Sequence, residues 1–172
     1  MPNPAEELAS KAMGALKVGK ATITGLTGIF KKLEQEHGEV SALLLRVKSS
    51  SDLKVRVDLY PKIRAELLSH EKGEVAVLYP EYRQYPETAM IADKHDQEAS
   101  ELQKMLAAVT ETEYQDPKWA ARFDALVDLV KRHVAEEEND FFPKGEKVLK
   151  GRTQELETAF KQIKEAELTR LS

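Results

Sequence analysis

Cysteine is missing altogether from the 172 residues. Its absence removes disulfides, thiolate-ligated metals, iron–sulfur clusters and thiol redox switches from consideration. An excess of positive charge is missing too. Lys and Arg number 26 against 30 Asp and Glu, a net charge of −4, whereas a nucleic-acid binder needs a basic surface to neutralise phosphates. No apolar run approaches the ~20 residues that span a bilayer, and the N-terminus through Phe30 lacks the compact apolar stretch of a signal peptide. The expectation is a cytoplasmic protein without nucleic-acid or membrane partners. Alternating β-branched runs are scarce, which argues against a sheet.

Apolar residues make up 41% of the chain, enough for one domain with a sizeable core. They recur at helical spacing in four long segments, about 28–48, 53–78, 87–109 and 117–140. Pro61 falls inside the second and predicts a kink or a late start. Asp52 and the pair Asp116-Pro117 read as caps that open the second and fourth segments. Short polar connections predict an all-α, up-down-up-down four-helix bundle. Extra helical segments are expected at both ends, over about 4–20 and 153–171. The implied organisation is an N-terminal extension over 1–27, the bundle over 28–143, and a covering C-terminal helix within 144–172.

Two stretches repeat one device. LLSHEKGEVAVLYPEY (67–82) and LVKRHVAEEENDFFP (129–143) each hold a His with a Glu four positions on, then an aromatic-Pro stop. An i, i+4 pair lies on one helix face. Counting turns from the expected helix ends at about 1.5 Å per residue places His70, His95 and His133 roughly 10–14 Å from the same end of the bundle. His37 joins them if the first helix begins near Thr27 or Gly28. All four histidines of the chain then share one layer, one per helix.

A lone inward His is ordinarily a hydrogen-bonded core residue. Four in one layer, with Glu74 and Glu137 one turn further along, would carry a heavy desolvation cost that a pair of cations removes. Six nitrogen and carboxylate ligands exceed one tetrahedral zinc site and are too nitrogen-rich for calcium or magnesium. Two ions use them all: His37 and His70 on one, His95 and His133 on the other, Glu74 and Glu137 spanning both. Such ligands suit iron or manganese, with zinc able to intrude. A bridging oxo or hydroxo group would complete such a pair.

This layout resembles the hemerythrin-like, HHE cation-binding family over roughly residues 28–143, endings Leu78-Tyr79-Pro80 and Phe141-Phe142-Pro143 included. Oxygen carriers of that family have HxxxH on the third helix and HxxxxD on the fourth. Here Ala99 follows His95 at the fourth position, and Glu137 follows His133 one residue earlier than that Asp, so the five-histidine pattern is not met. The four-His, two-HxxxE pattern is closer to the di-iron domain of iron-centre repair proteins linked to nitrosative stress. The resemblance implies a di-iron protein that binds or reacts with O₂, peroxide or nitric oxide, in stress or oxygen sensing. The alternative is a non-catalytic iron-binding sensor or reservoir. A monomer or weak homodimer is expected.

Other signals carry less. The run 14–21, GALKVGKA, nearly fits a phosphate-binding loop, but Ala21 stands where Mg²⁺ would need a hydroxyl. Glu71 could lean toward a metal, yet a solvated role is expected, and Glu136 and Glu138 are expected to be surface charge. No Ser/His/Asp arrangement or separate nucleophile is in view. One terminal segment is expected to cap the metal-bearing end.

Overall fold

The computed structural model describes residues 4–5, 8–13 and 25–172. Four helices build the bundle: α1 (Gly28–Lys48), α2 (Leu53–Tyr82), α3 (Pro86–Thr110) and α4 (Pro117–Glu136). A π-helical turn, Glu137–Phe141, joins α4 to the short α5 (Phe142–Val148), and α6 (Thr153–Leu171) closes the chain. The fold is all-α, an up-down-up-down bundle with helical additions. Residues 4–5 and 8–13 are helical, while the phosphate-loop-like run 14–21 lies outside the described residues.

Local chemistry sets the starts. The Asp52 and Asp116 carboxylates accept the backbone N–H of Lys54 at 2.9 Å and of Lys118 at 2.8 Å, satisfying donors that the first helical turn leaves open. Pro86 and Pro117 occupy first positions, where a missing N–H costs nothing. Of the expected kink or late start, the late start does not occur: α2 begins at Leu53 and runs through Pro61. Pro61 and Val57, whose carbonyl it leaves without a helical donor, both face solvent, so water can take the donor's place. Pro80 likewise stands on the exposed side and the helix runs on to Tyr82. Phe141-Phe142-Pro143 is no stop either: Pro143 lies in the first turn of α5.

α6 packs along α1 and α2, and two close approaches fix it there. Gly28 has φ +48°, and a Cβ on it would lie 2.2 Å from the Thr153 carbonyl. The Thr27 hydroxyl bonds both Glu146, at 2.8 Å, and the Thr153 hydroxyl, at 2.7 Å. Further along, the Phe160 ring lies against Gly73, leaving no room for a side chain at that position.

The apolar interior divides in two. One cluster fills the end of the bundle away from the candidate ligands, around Leu59, Ile63, Leu106, Trp119, Phe123 and Leu126. The other is an aromatic plug at the opposite end, built around Phe30, Tyr79, Tyr82, Phe141, Phe142 and Phe160. The histidine layer lies between them.

Candidate metal centre

Each of the four bundle helices brings one imidazole to the layer. His37, His70 and Glu137 offer ligand atoms that all lie within 4.8 Å of one another, as do His95, His133, Glu71 and Glu74. The structure thus brings together all six residues singled out from the sequence, adds Glu71, and divides the imidazoles into the expected two pairs. His37 Nε2 faces Glu137 Oε2 at 3.2 Å and His133 Nε2 faces Glu137 Oε1 at 3.3 Å. Glu74 Oε2 lies 3.5 Å from His70 Nε2 and 3.7 Å from His95 Nε2. Glu74 and Glu137 therefore each reach across to an imidazole of both pairs.

Glu71 departs from its expected solvated role. It is 5% exposed, and its Oε1 lies 3.3 Å from His95 Nε2. Residue 71 follows His70 by about 100° around α2, and that step turns it toward α3 rather than outward. Glu138 departs too. The π turn widens the backbone beyond α geometry, so Glu137 and Glu138 both point inward, Glu138 bonding His37 Nδ1 and Glu137 facing its Nε2. Glu138 Oε1 lies 3.1 Å from His37 Nδ1. Glu136 does sit on the rim, paired with Lys94.

Behind the ring nitrogens stands a second tier that the sequence reading missed. Glu36 accepts from His70 Nδ1 at 2.9 Å and Glu98 from His133 Nδ1 at 2.9 Å. With Glu138 on His37, three of the four imidazoles have their Nδ1 protons held by carboxylates. This leaves each Nε2 lone pair aimed into the layer, the arrangement that raises ligand basicity. Glu36 precedes His37 by one residue and Glu98 follows His95 by three, positions on the same flank of a helix. That spacing was the available signal. His95 is held differently: its ring stacks on Tyr79 at 3.5 Å between centroids, and the Tyr79 hydroxyl donates to Glu137 Oε1 at 2.9 Å. Across the layer Phe142 stacks on His37. Tyr79 and Phe142 each follow a spanning Glu by five residues.

Without a cation the layer is electrostatically expensive. His37 Nε2, His70 Nε2, both nitrogens of His95 and both carboxylate oxygens of Glu74 are buried without hydrogen-bond partners, a rare condition for polar atoms. Burial pushes the Glu71 carboxyl up to about 8, with the Glu137 charge adding to it. Burial also raises Glu74, with Glu137 and Glu71 adding to it. Burial opposes ionisation of Glu137, but His133 and His37 hold it well below the ordinary range. Burial drops His95 to about 4. Burial opposes protonation of His133 as well, yet Glu137 and Glu98 lift it to about 9. Nitrogen and carboxylate donors converging as buried, unsatisfied atoms fit divalent cations and little else.

Comparison with known proteins agrees. The hemerythrin HHE cation-binding domain matches residues 28–145. An uncharacterized hemerythrin-like protein of Schizosaccharomyces pombe (strain 972) is 25% identical over 126 residues, covering 72% of this chain and 62% of its own length. The chain thus spans under two thirds of that relative. No solved structure matches. Among the described residues no helix is long and apolar enough to cross a membrane. The chain belongs to the hemerythrin HHE cation-binding domain family.

Proposed function

We propose that this chain is a non-haem di-iron protein that binds or reduces a small oxidant: O₂, peroxide or nitric oxide. The observation that carries the reading is the layer of buried Nε2 and carboxylate atoms without hydrogen-bond partners, backed by Nδ1-bound carboxylates. His37, His70 and Glu137 would hold one ion, and His95, His133 and Glu71 the other, with Glu74 and Glu137 shared. An iron pair, when bound, supplies two electrons to a small ligand. The chain's own residues do the rest. Glu138, Glu36 and Glu98 fix the ring orientations, and the aromatic plug excludes water from one side. The Tyr79 hydroxyl holds a proton 2.9 Å from Glu137 Oε1, where it can stabilise that oxygen's charge as ligation changes.

Metal analysis should return two irons per chain. Anaerobically reduced protein should develop iron–ligand charge-transfer bands on separate exposure to O₂, peroxide or nitric oxide. A protein that binds no transition metal, or one whose spectrum none of these ligands alters, would refute the reading.

A second reading is favoured by one specific contact. α6 touches the layer directly: Phe160 packs edge-on to His70, and Lys164 lies 2.7 Å from Glu36. Metal occupancy would then be communicated to the C-terminal helix, as an iron sensor or reservoir requires. Ligand-inert iron whose removal loosens α6 in hydrogen exchange would select that reading.

A further inference from the structure

The aromatic plug closes one side of the histidine layer, but the other side opens into a cavity of about 110 Å³. Leu43, Leu67, Leu102 and Leu129 form its apolar walls. Among its lining residues are His70 and His133, which keep 12% and 15% side-chain exposure while the His95 side chain keeps none. The layer is therefore reached from this cavity.

Its size and its charge are informative together. One water occupies about 30 Å³ in the liquid, and an apolar cavity of about 150 Å³ takes benzene. A diatomic ligand would leave most of this space unfilled, whereas a body of roughly four or five carbons would occupy it. Most charged groups in the lining are already engaged. Glu36 meets His70 and Lys164, Glu66 meets Lys164, and Glu39 accepts from Gln35. Lys62 is different: it is half-buried in the lining and, unlike the engaged Lys11 and Lys164 there, makes no ion pair within 4.0 Å among the described residues, although Glu66 stands one turn further along its helix. Ser10 bonds the Glu39 carbonyl at 2.8 Å and also lines the cavity, so the short helical run 8–13 lies at its edge.

We propose that this cavity binds a small amphiphilic acid, a short-chain carboxylate whose apolar body lies among the leucines and whose carboxylate faces Lys62. The ligand would sit against His70 and His133, placing an organic molecule beside the oxidant-binding centre. Only that juxtaposition rests on the di-iron reading; the pocket itself does not.

The test is calorimetric titration of the full chain, metal-free and iron-loaded, with butanoate, pentanoate, hexanoate and hexan-1-ol. Each added methylene should tighten binding about fourfold until the walls are filled. Hexanoate should bind about tenfold more tightly than hexan-1-ol, and Lys62→Met should abolish that difference. Val134→Phe, which narrows the lining, should weaken hexanoate at least tenfold with iron content unchanged; Leu102→Phe is a second narrowing variant should the first misfold. Affinity independent of chain length, or unmoved by a folded narrowing variant, overturns the proposal. So does binding confined to the iron-loaded protein with butanoate as tight as hexanoate, because the acids would then be ligating metal. A chain-length gradient in protein that takes up no iron would leave the pocket standing and remove only the di-iron reading.

Discussion

At His37, His70 and His133 a carboxylate holds Nδ1 at 2.9–3.1 Å, and the consequences differ from those of losing a ligand. Glu98→Gln keeps a hydrogen-bond acceptor but removes charge from behind His133. Metal affinity should fall about 10–100-fold by competitive chelator titration, with the circular dichroism spectrum unchanged. Glu71→Gln should instead halve the metal content, from two per chain to one, because Glu71 belongs to only one of the two clusters. Retention of both ions at full affinity would return Glu71 to a spectator role. At this scale the sequence was legible where a residue's place depended on helical period alone. Both HxxxE pairs and His95 needed only turn counting. Glu71 and Glu138 did not yield to it: the inward turn of Glu71 depends on where α3 packs, and that of Glu138 on the π turn after α4.

Among the elements, boundaries governed by caps were legible: Asp52 and Asp116 each stand immediately before a helix and cap it. What the period could not disclose were the π turn, the separate α5 and the solvent-side tolerance of Pro61, since each depends on which way a backbone group faces in the assembled bundle. The seat of α6 was equally hidden, because it rests on an absent side chain. A Cβ at Gly73 would lie 2.5 Å from the Phe160 ring, and that ring packs edge-on to His70. Gly73→Ala should therefore destabilise the protein by about 1–3 kcal/mol in urea titration despite alanine's better helix propensity. A stabilised variant would mean that α6 gives way at no cost.

Over the whole molecule, a charged stratum is held between two apolar masses, and the metal-free fold must carry its own titration. Glu71, raised to about 8 against an ordinary 4.5, binds a proton in the folded state that the unfolded chain has already lost. Its contribution therefore fades as pH climbs toward 8. His133, raised to about 9 from 6.5, contributes fully below 6.5 and loses that contribution as pH passes 9. His95, lowered to about 4, acts oppositely, but only below 6.5. Above pH 6.5 the resolved shifts at Glu71 and His133 therefore agree. The urea midpoint of metal-free protein should decline from pH 6.5 to 9, and divalent metal should flatten that decline by taking the protons' place. An unchanged or rising midpoint in the metal-free protein would contradict the burial assigned to this stratum.

The wide turn after α4 also bears on how such a centre can change over generations. Counting from His133, the fourth and fifth residues onward both face the interior here, as Glu137 and Glu138, and the oxygen carriers noted for resemblance place their acid at the fifth. Neighbouring sites that open onto one chamber let an anchoring acid migrate a single step along the chain while its predecessor is still in post. Lineages could exchange one arrangement for the other without any ancestor having to survive empty-handed.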